Sequence, residues 1–275
     1  MKNEPFSLVQ KQFLVLESWK HIPNIVAGFT TKNGGTSDSP FRSFNLGLHV
    51  NDDVNKVIDN RKLLSSLLGF RTTNWVCSDQ VHGNNIEKVT IKDAGSGVVD
   101  YQTSIKSTDG LYTDEPNILL TSGYADCVPL FFCEPNKKLI GVAHAGWKGT
   151  VKDIAGEMIR KWQLTEGINP SDVYTVIGPS IGGCCYVVDD HVIDFVNNAL
   201  SQKDPRPYQE ISKGQYALDL KRVNKLLMLA AGIREENIII SSYCTSCSDN
   251  LFFSHRRDKG KTGRMLSFLG WKQEK

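Results

Sequence analysis

Three short apolar runs, Ile118–Thr121, Pro129–Cys133 and Leu139–Ala143, follow one another along this chain with no helical stretch between them. Runs of this length, rich in Val, Ile, Leu and Phe and bounded by turn residues, read as buried strands. Strands in direct succession do not build a doubly wound parallel sheet, in which each strand is followed by a crossover helix. They point to an α+β fold. Further strands are predicted at Trp75–Val76, Val173–Ile177, Ile238–Ser241 and Met265–Phe268. Helices are predicted over Asp52–Leu68, Thr150–Trp162, Asp189–Leu200 and Asp219–Ala231, where apolar residues recur at helical spacing.

No repeat, low-complexity tract or linker divides the 275 residues, so one domain spanning 1–275 is expected. A formal net charge of +2 is too mild to imply nucleic acid or an acidic membrane as partner. There is no apolar run of about 18 residues to span a bilayer. Phe6–Trp19 is interrupted by Gln, Lys, Glu and Ser and has no secretory apolar core. With seven cysteines, an odd number, the expected compartment is a reducing cytoplasm with thiols free or metal-bound. Nothing in the sequence chooses between monomer and homodimer.

Two imidazoles and one thiol stand out: His82 in Gln80-Val81-His82-Gly83, Cys127 in Ala125-Asp126-Cys127-Val128-Pro129, and His144 in Ala143-His144-Ala145-Gly146-Trp147-Lys148-Gly149. His82 is expected after a Trp75–Val81 strand, Cys127 at the opening of a strand and His144 at the close of one. If the three converge they form a zinc set with an open fourth position, the pattern of catalytic rather than structural zinc. Copper suits the same donors. The plainer reading is a capping histidine, a core thiol and a loop histidine with nothing in common.

Asp126 is a candidate general acid or base, or a turn residue bonding nearby amides. Arg61 interrupts the apolar stripe of Val54, Val57, Ile58, Leu64 and Leu68, and a charge on a core-facing row needs a partner or a ligand. Ser254–Arg264 carries five Lys or Arg in eleven residues, suited to phosphate or to a solvated loop. Cys244-Thr245-Ser246-Cys247 and Cys184-Cys185 lack matched local spacing and read as inert or site-lining thiols, with a structural zinc or redox site the alternative.

In order along the chain, these pieces resemble the laccase-domain (multicopper polyphenol oxidase-like) family, associated with purine nucleoside phosphorylase activity. They run from Phe44-Asn45-Leu46-Gly47-Leu48 through Asn60-Arg61, Gln80-Val81-His82-Gly83, Asp109-Gly110-Leu111, Ala125-Asp126-Cys127-Val128-Pro129 and His144-Ala145-Gly146-Trp147. They continue through Ile177-Gly178-Pro179, Leu218-Asp219-Leu220 and Phe253-Ser254-His255-Arg256-Arg257 to Thr262-Gly263-Arg264. The resemblance implies packed mixed β-sheets flanked by helices in α-β-β-α layers, and one zinc on His82, Cys127 and His144. It also implies phosphorolysis of adenosine, inosine, guanosine and methylthioadenosine, with adenosine deamination as a side activity.

On that footing Arg61 with Asn45, and Arg257 or Arg264, are expected to hold phosphate, and Asp126 to protonate the purine. Zinc deaminases pair a ligand histidine with glutamate in H-x-E; here Gly83 and Asn84 follow His82. The old oxidase label fits poorly, because the six histidines include no H-x-H pair. The rivals are a copper-dependent polyphenol oxidase, a cysteine hydrolase using Cys127 with His82 or His144, and a non-enzymatic metal-binding partner protein.

Overall fold

The computed structural model describes residues 4–273. Two six-stranded mixed sheets form its centre, with strands numbered in chain order. The first runs β1 (Phe6–Gln10), β2 (Phe13–Leu16), β3 (Ile25–Thr30), β15 (Met265–Trp271), β7 (Leu119–Tyr124) and β4 (Trp75–Cys77). The second runs β14 (Ile238–Ile240), β10 (Tyr174–Ile177), β8 (Val128–Glu134), β9 (Leu139–Ala145), β6 (Gly110–Thr113) and β5 (Ile86–Lys88). A small sheet of β11 (Val187–Asp189), β13 (Gln215–Leu218) and β12 (Tyr208–Ser212) stands apart from both.

The sequence of β8 explains the layering. All seven of its residues are buried, as a strand covered on both faces requires. Leu130 and Phe132 point to one side and join Ile154, Met158 and Trp162 of α3 (Ile154–Glu166) and Val223 and Leu227 of α5 (Leu220–Ala230). Phe131 and Cys133 point to the other and meet Leu14, Phe29, Leu120 and Leu269 of the first sheet. On the far side of that sheet, Leu64 and Leu68 of α1 (Val54–Leu68) pack on Trp75, Leu119 and Phe268. The layers are therefore α1, first sheet, second sheet, then α3 and α5, the expected α-β-β-α arrangement.

Several local expectations change. The helix expected over Thr150–Trp162 is two, α2 (Trp147–Val151) and α3, because Asp153 between them takes φ 57° and caps Gly156 N with its carboxylate. The helix expected from Asp189 is α4 (Asp190–Ala199), with Asp189 as its cap through Val192 N. The strand expected to reach Val81 ends at Cys77, leaving His82 on a loop. The N-terminal meander β1–β3 has no counterpart among the expected strands. α1 starts at Val54 rather than Asp52, is capped by Asp53 through Asn55 N, and ends at Gly69 with φ 66°.

Three features of this plan set up a site. Along β9, alternation sends Ile140 and Val142 into the inter-sheet core, and two residues on it sends His144 the same way. Ala125–Cys127 carry the chain from β7 in one sheet to β8 in the other. The loop after β4 crosses between the same sheets to β5. All three segments meet at one edge of the inter-sheet core.

Candidate metal centre and the cavity around it

Each of His82, Cys127 and His144 offers one ligand atom, and these atoms lie within 4.8 Å of one another. Cys127 Sγ is 3.8 Å from His82 Nε2, and the two imidazole rings stand 4.8 Å apart at 79°. Zinc bonds of about 2.0–2.3 Å place tetrahedral ligands roughly 3.3–3.8 Å apart, so the donor set fits one ion with small adjustment.

Behind the trio is Asp109, fully buried. Its Oδ1 accepts from His144 Nδ1 at 2.8 Å and His82 N at 3.0 Å. Its Oδ2 accepts from Val81 N at 3.1 Å and Gly83 N at 2.7 Å. Three successive backbone N–H groups thus wrap one carboxylate, the nest geometry that favours anions. The same contacts hold His82 at φ 60°, a left-handed conformation uncommon without glycine. Because His144 donates from Nδ1, its Nε2 is left as the lone-pair nitrogen for a metal. Asp109 appears in the sequence only within the matching Asp109-Gly110-Leu111 piece, with no role attached; the fold brings it behind His144.

Gly146 clears the remaining space. A Cβ there would stand 2.7 Å from His82 Cδ2 and 3.1 Å from Cys127 Sγ, closer than the ligands could tolerate without moving apart.

In the metal-free protein the trio is electrostatically coupled. Burial opposes ionisation of Cys127, but His144 and His82 outweigh it and hold the thiol down at about 6. Burial likewise opposes the imidazolium of His144, yet Cys127 and the hydrogen bond to Asp109 raise it to about 9. A depressed thiol between two imidazoles is a ready ligand for a thiophilic cation.

The trio opens on a cavity of about 560 Å³ whose walls include Val81, Trp147, Ile181 and Tyr186, within the size range of small-molecule sites. Cationic side chains Lys148, Arg256 and Arg264 also line it. Arg256 stacks over Tyr186 at 5.0 Å and donates to Val187 O. Arg264 donates from Nη1 to Thr262 O and Gly263 O; among the described residues its Nε and Nη2 have no protein acceptor. Nearby, Ser78 Oγ is buried without a partner among the described residues, and His49 lies on the open side of the cavity.

The other sequence candidates fall differently. Arg61 is buried and gives its guanidinium to Leu46 O, Gly97 O and Val98 O at 2.6–2.8 Å. It needs a partner, as expected, but its partners are main-chain carbonyls; its donors are engaged and it does not line the cavity. Asn45 is also buried, bonding Gly47 N, Arg264 N and Asp52 Oδ2. Arg257 grips Asp258 and the carbonyls of Thr245, Ser246 and Phe252. Of the four expected phosphate residues, only Arg264 faces the cavity.

Asp126 does line it, because φ 86° breaks the strand alternation and turns both Asp126 and Cys127 inward. Its oxygens accept from Thr245 Oγ1, Ser254 Oγ and Arg256 N at 2.7–3.0 Å. Both oxygens act as acceptors, the geometry of a brace for the Ser254–Arg256 loop rather than of a proton donor.

The family model described as multi-copper polyphenol oxidoreductase laccase matches residues 26–272. The chain is 53% identical over 249 residues to purine nucleoside phosphorylase YlmD of Geobacillus stearothermophilus, covering 90% of this chain and 91% of that one. It is 49% identical over 273 residues to purine nucleoside phosphorylase YlmD of Bacillus subtilis, covering 98% of each. The crystal structure of YlmD from Geobacillus stearothermophilus superimposes with a TM-score of 0.97 over 98% of this chain and all of that one, at 49% identity. No helix among the described residues is long and apolar enough to cross a membrane. Fold, ordered motifs and this extent of identity agree: the chain belongs to the multi-copper polyphenol oxidoreductase laccase family, alongside relatives named purine nucleoside phosphorylase.

Proposed function

We propose that this protein is a zinc-dependent purine nucleoside phosphorylase that cleaves adenosine, inosine, guanosine and methylthioadenosine with phosphate. The observation that carries the proposal is one cavity joining a metal-grade donor trio, aromatic walls and an arginine with unengaged donors. The names of the relatives support the same reaction. His82, Cys127 and His144 are the proposed metal ligands, and a zinc held there would supply Lewis acidity to the cavity.

In this scheme Trp147 and Tyr186 flank the purine, and Arg264 takes the phosphate through Nε and Nη2. Ser78 Oγ and His49 add hydrogen bonds to the same anion, the part that Arg61, Asn45 and Arg257 are too engaged elsewhere to play. A phosphate oxygen forms a bond to the anomeric carbon of the sugar as the carbon–nitrogen bond to the base breaks. The bonding electrons leave with the purine, which takes up a proton to emerge neutral. His255, at the cavity rim, is the proposed donor in place of Asp126. Adenosine deamination stays a subordinate part of the proposal: Asp109 is engaged with four N–H donors, so no glutamate-like shuttle stands beside the trio.

The test is adenosine incubated with and without phosphate, with adenine separated from inosine. Adenine that requires phosphate is the expected product; adenine formed equally without phosphate, or inosine alone, overturns the assignment.

One observation favours a second reading, the cysteine hydrolase. Without an ion, Cys127 at about 6 and His144 at about 9 form a thiolate–imidazolium pair of the kind used in covalent catalysis. Alkylation separates the two readings. The phosphorylase predicts that Cys127 is labelled only after chelation, and labelling of the metal-loaded protein supports the hydrolase.

A further inference from the structure

Four of the remaining cysteines converge although the sequence keeps them about sixty residues apart in pairs. Cys184 and Cys185 follow the Gly182-Gly183 turn, Cys244 and Cys247 form the C-x-x-C, and the four sulfurs lie within 4.8 Å of one another. Cys247 Sγ is 3.3 Å from Cys185 Sγ and 3.6 Å from Cys184 Sγ. None of the four is in a disulfide, whose sulfurs would stand about 2.05 Å apart. A single zinc with bonds of about 2.3 Å sets tetrahedral sulfurs roughly 3.8 Å apart, close to what is seen. An iron–sulfide cluster, with inorganic sulfide between the irons, would hold the thiolates further apart.

We propose that Cys184, Cys185, Cys244 and Cys247 bind one structural zinc ion, separate from the His82–Cys127–His144 centre.

The surroundings are those of a metal knuckle. Gly182 N donates to Cys244 Sγ at 3.2 Å, a backbone N–H contact that stabilises a thiolate. A Cβ on Gly182 would meet Cys184 Sγ at 3.3 Å and Cys244 Cβ at 3.4 Å, so glycine lets the two loops close. Arg257 braces the C-x-x-C through Thr245 O and Ser246 O. The buried ammonium of Lys221 holds Ser241 O and Tyr243 O beside it. On binding, each thiol releases its proton to solvent and the four thiolates with Zn²⁺ carry a net charge of −2, which the buried ammonium of Lys221 beside Cys244 and Cys184 partly offsets.

The knuckle has a structural consequence for the cavity. It ties the 178–186 loop, which supplies Ile181 and Tyr186, to the 241–249 loop, whose Thr245 bonds Asp126 next to Cys127. Two thiols of the set, Cys184 and Cys247, are exposed. Their exposure admits a thiol reagent; bound to zinc they would be protected from it.

The test is elemental analysis of the full chain purified under reducing conditions, with a thiol count under native conditions. Two zinc ions per chain are expected, one remaining in Cys127→Ser and one in the paired Cys244→Ser, Cys247→Ser variant. Should that pair fail to fold, Cys127→Ser loaded with Co²⁺ gives the answer without it: intense thiolate-to-cobalt absorption and tetrahedral visible bands are expected. The proposal is overturned by one zinc per chain that Cys127→Ser removes, by iron with visible absorption, or by all four thiols reacting freely in the native wild type.

Discussion

Replacing Asp109 by asparagine removes one charge and almost no volume, and so isolates what the carboxylate does behind the trio. Its oxygens serve separate donor pairs, Oδ1 for His144 Nδ1 and His82 N, and Oδ2 for Val81 N and Gly83 N. An amide must turn its NH₂ towards one pair. Placed at Oδ2, it strands Val81 and Gly83 N–H and releases the loop that carries His82. Placed at Oδ1, it forces His144 to accept at Nδ1, which moves the ring proton to the nitrogen that should face the metal. Two lost hydrogen bonds to a charged group, at about 1.5–3 kcal/mol each and discounted because the 81–83 loop is partly exposed, amount to about 2–4 kcal/mol. Loss of such a partner also weakens metal affinity by about 10–100-fold. The assays are thermal unfolding of the metal-free protein and competition for zinc against a chelator of known affinity. A melting temperature lower by roughly 3–7 °C is expected, with the affinity loss alongside it. Wild-type affinity within about twofold and an unchanged melting temperature would refute the role given to Asp109.

Gly146→Ala adds one methyl where His82 and Cys127 converge; its φ of −68° suits alanine, so metal affinity should fall while the secondary structure by circular dichroism is retained. Arg61→Ala leaves three main-chain carbonyls without their donors and should destabilise by about 3–5 kcal/mol in denaturant unfolding, with the phosphate KM of the folded enzyme within about twofold of wild type. Arg264→Ala should instead raise the phosphate KM about 10–100-fold, since one charge-assisted contact to the anion is worth about 1.5–3 kcal/mol, with a stability cost of about 1–3 kcal/mol from the lost bonds to Thr262 O and Gly263 O. Burial raises the Asp258 carboxyl, but hydrogen bonds from Arg257, Thr262 and Ser254 N outweigh it and hold it below the ordinary carboxylate range. Its stabilisation is therefore complete at pH values above the unfolded value of about 4 and is lost as pH falls through the depressed native value. Asp258→Asn should cost about 1–2 kcal/mol at pH 7, and urea unfolding should show that gap closing as pH falls below the unfolded value of about 4; a gap independent of pH would count against the assignment.

β8 and β9 are legible in the sequence because strands buried on both faces leave unbroken apolar runs, and two such runs before a helix dictate sheet packing. β1–β3 are not, since polar residues such as Gln10 and Gln12 interrupt them and the meander joins the sheet only through β3, which pairs with β15 at the other end of the chain. The break at Asp153 carries no proline or glycine signal, only a left-handed aspartate that caps α3. Cys127 and His144 can be singled out because each sits among small or apolar residues at a strand end; His82 lies on the loop past β4, and Asp109, present in a matching motif, acquires its role only once β6 lies against β9. Arg61 signals correctly that a charge on an apolar stripe needs partners, but a sequence does not distinguish a ligand's oxygen from the chain's own carbonyls. The four-cysteine cluster escapes for a similar reason, because each pair alone has unremarkable spacing and the loops meet only in the fold.

The most direct measurement of the central claim is the yield of adenine and ribose 1-phosphate from adenosine at saturating phosphate, in wild type and in Cys127→Ser. The account predicts equal amounts of the two products from the wild type and a loss of at least about 10²-fold in the variant. Turnover by Cys127→Ser at the wild-type rate, or a wild type that forms no ribose 1-phosphate, would contradict it.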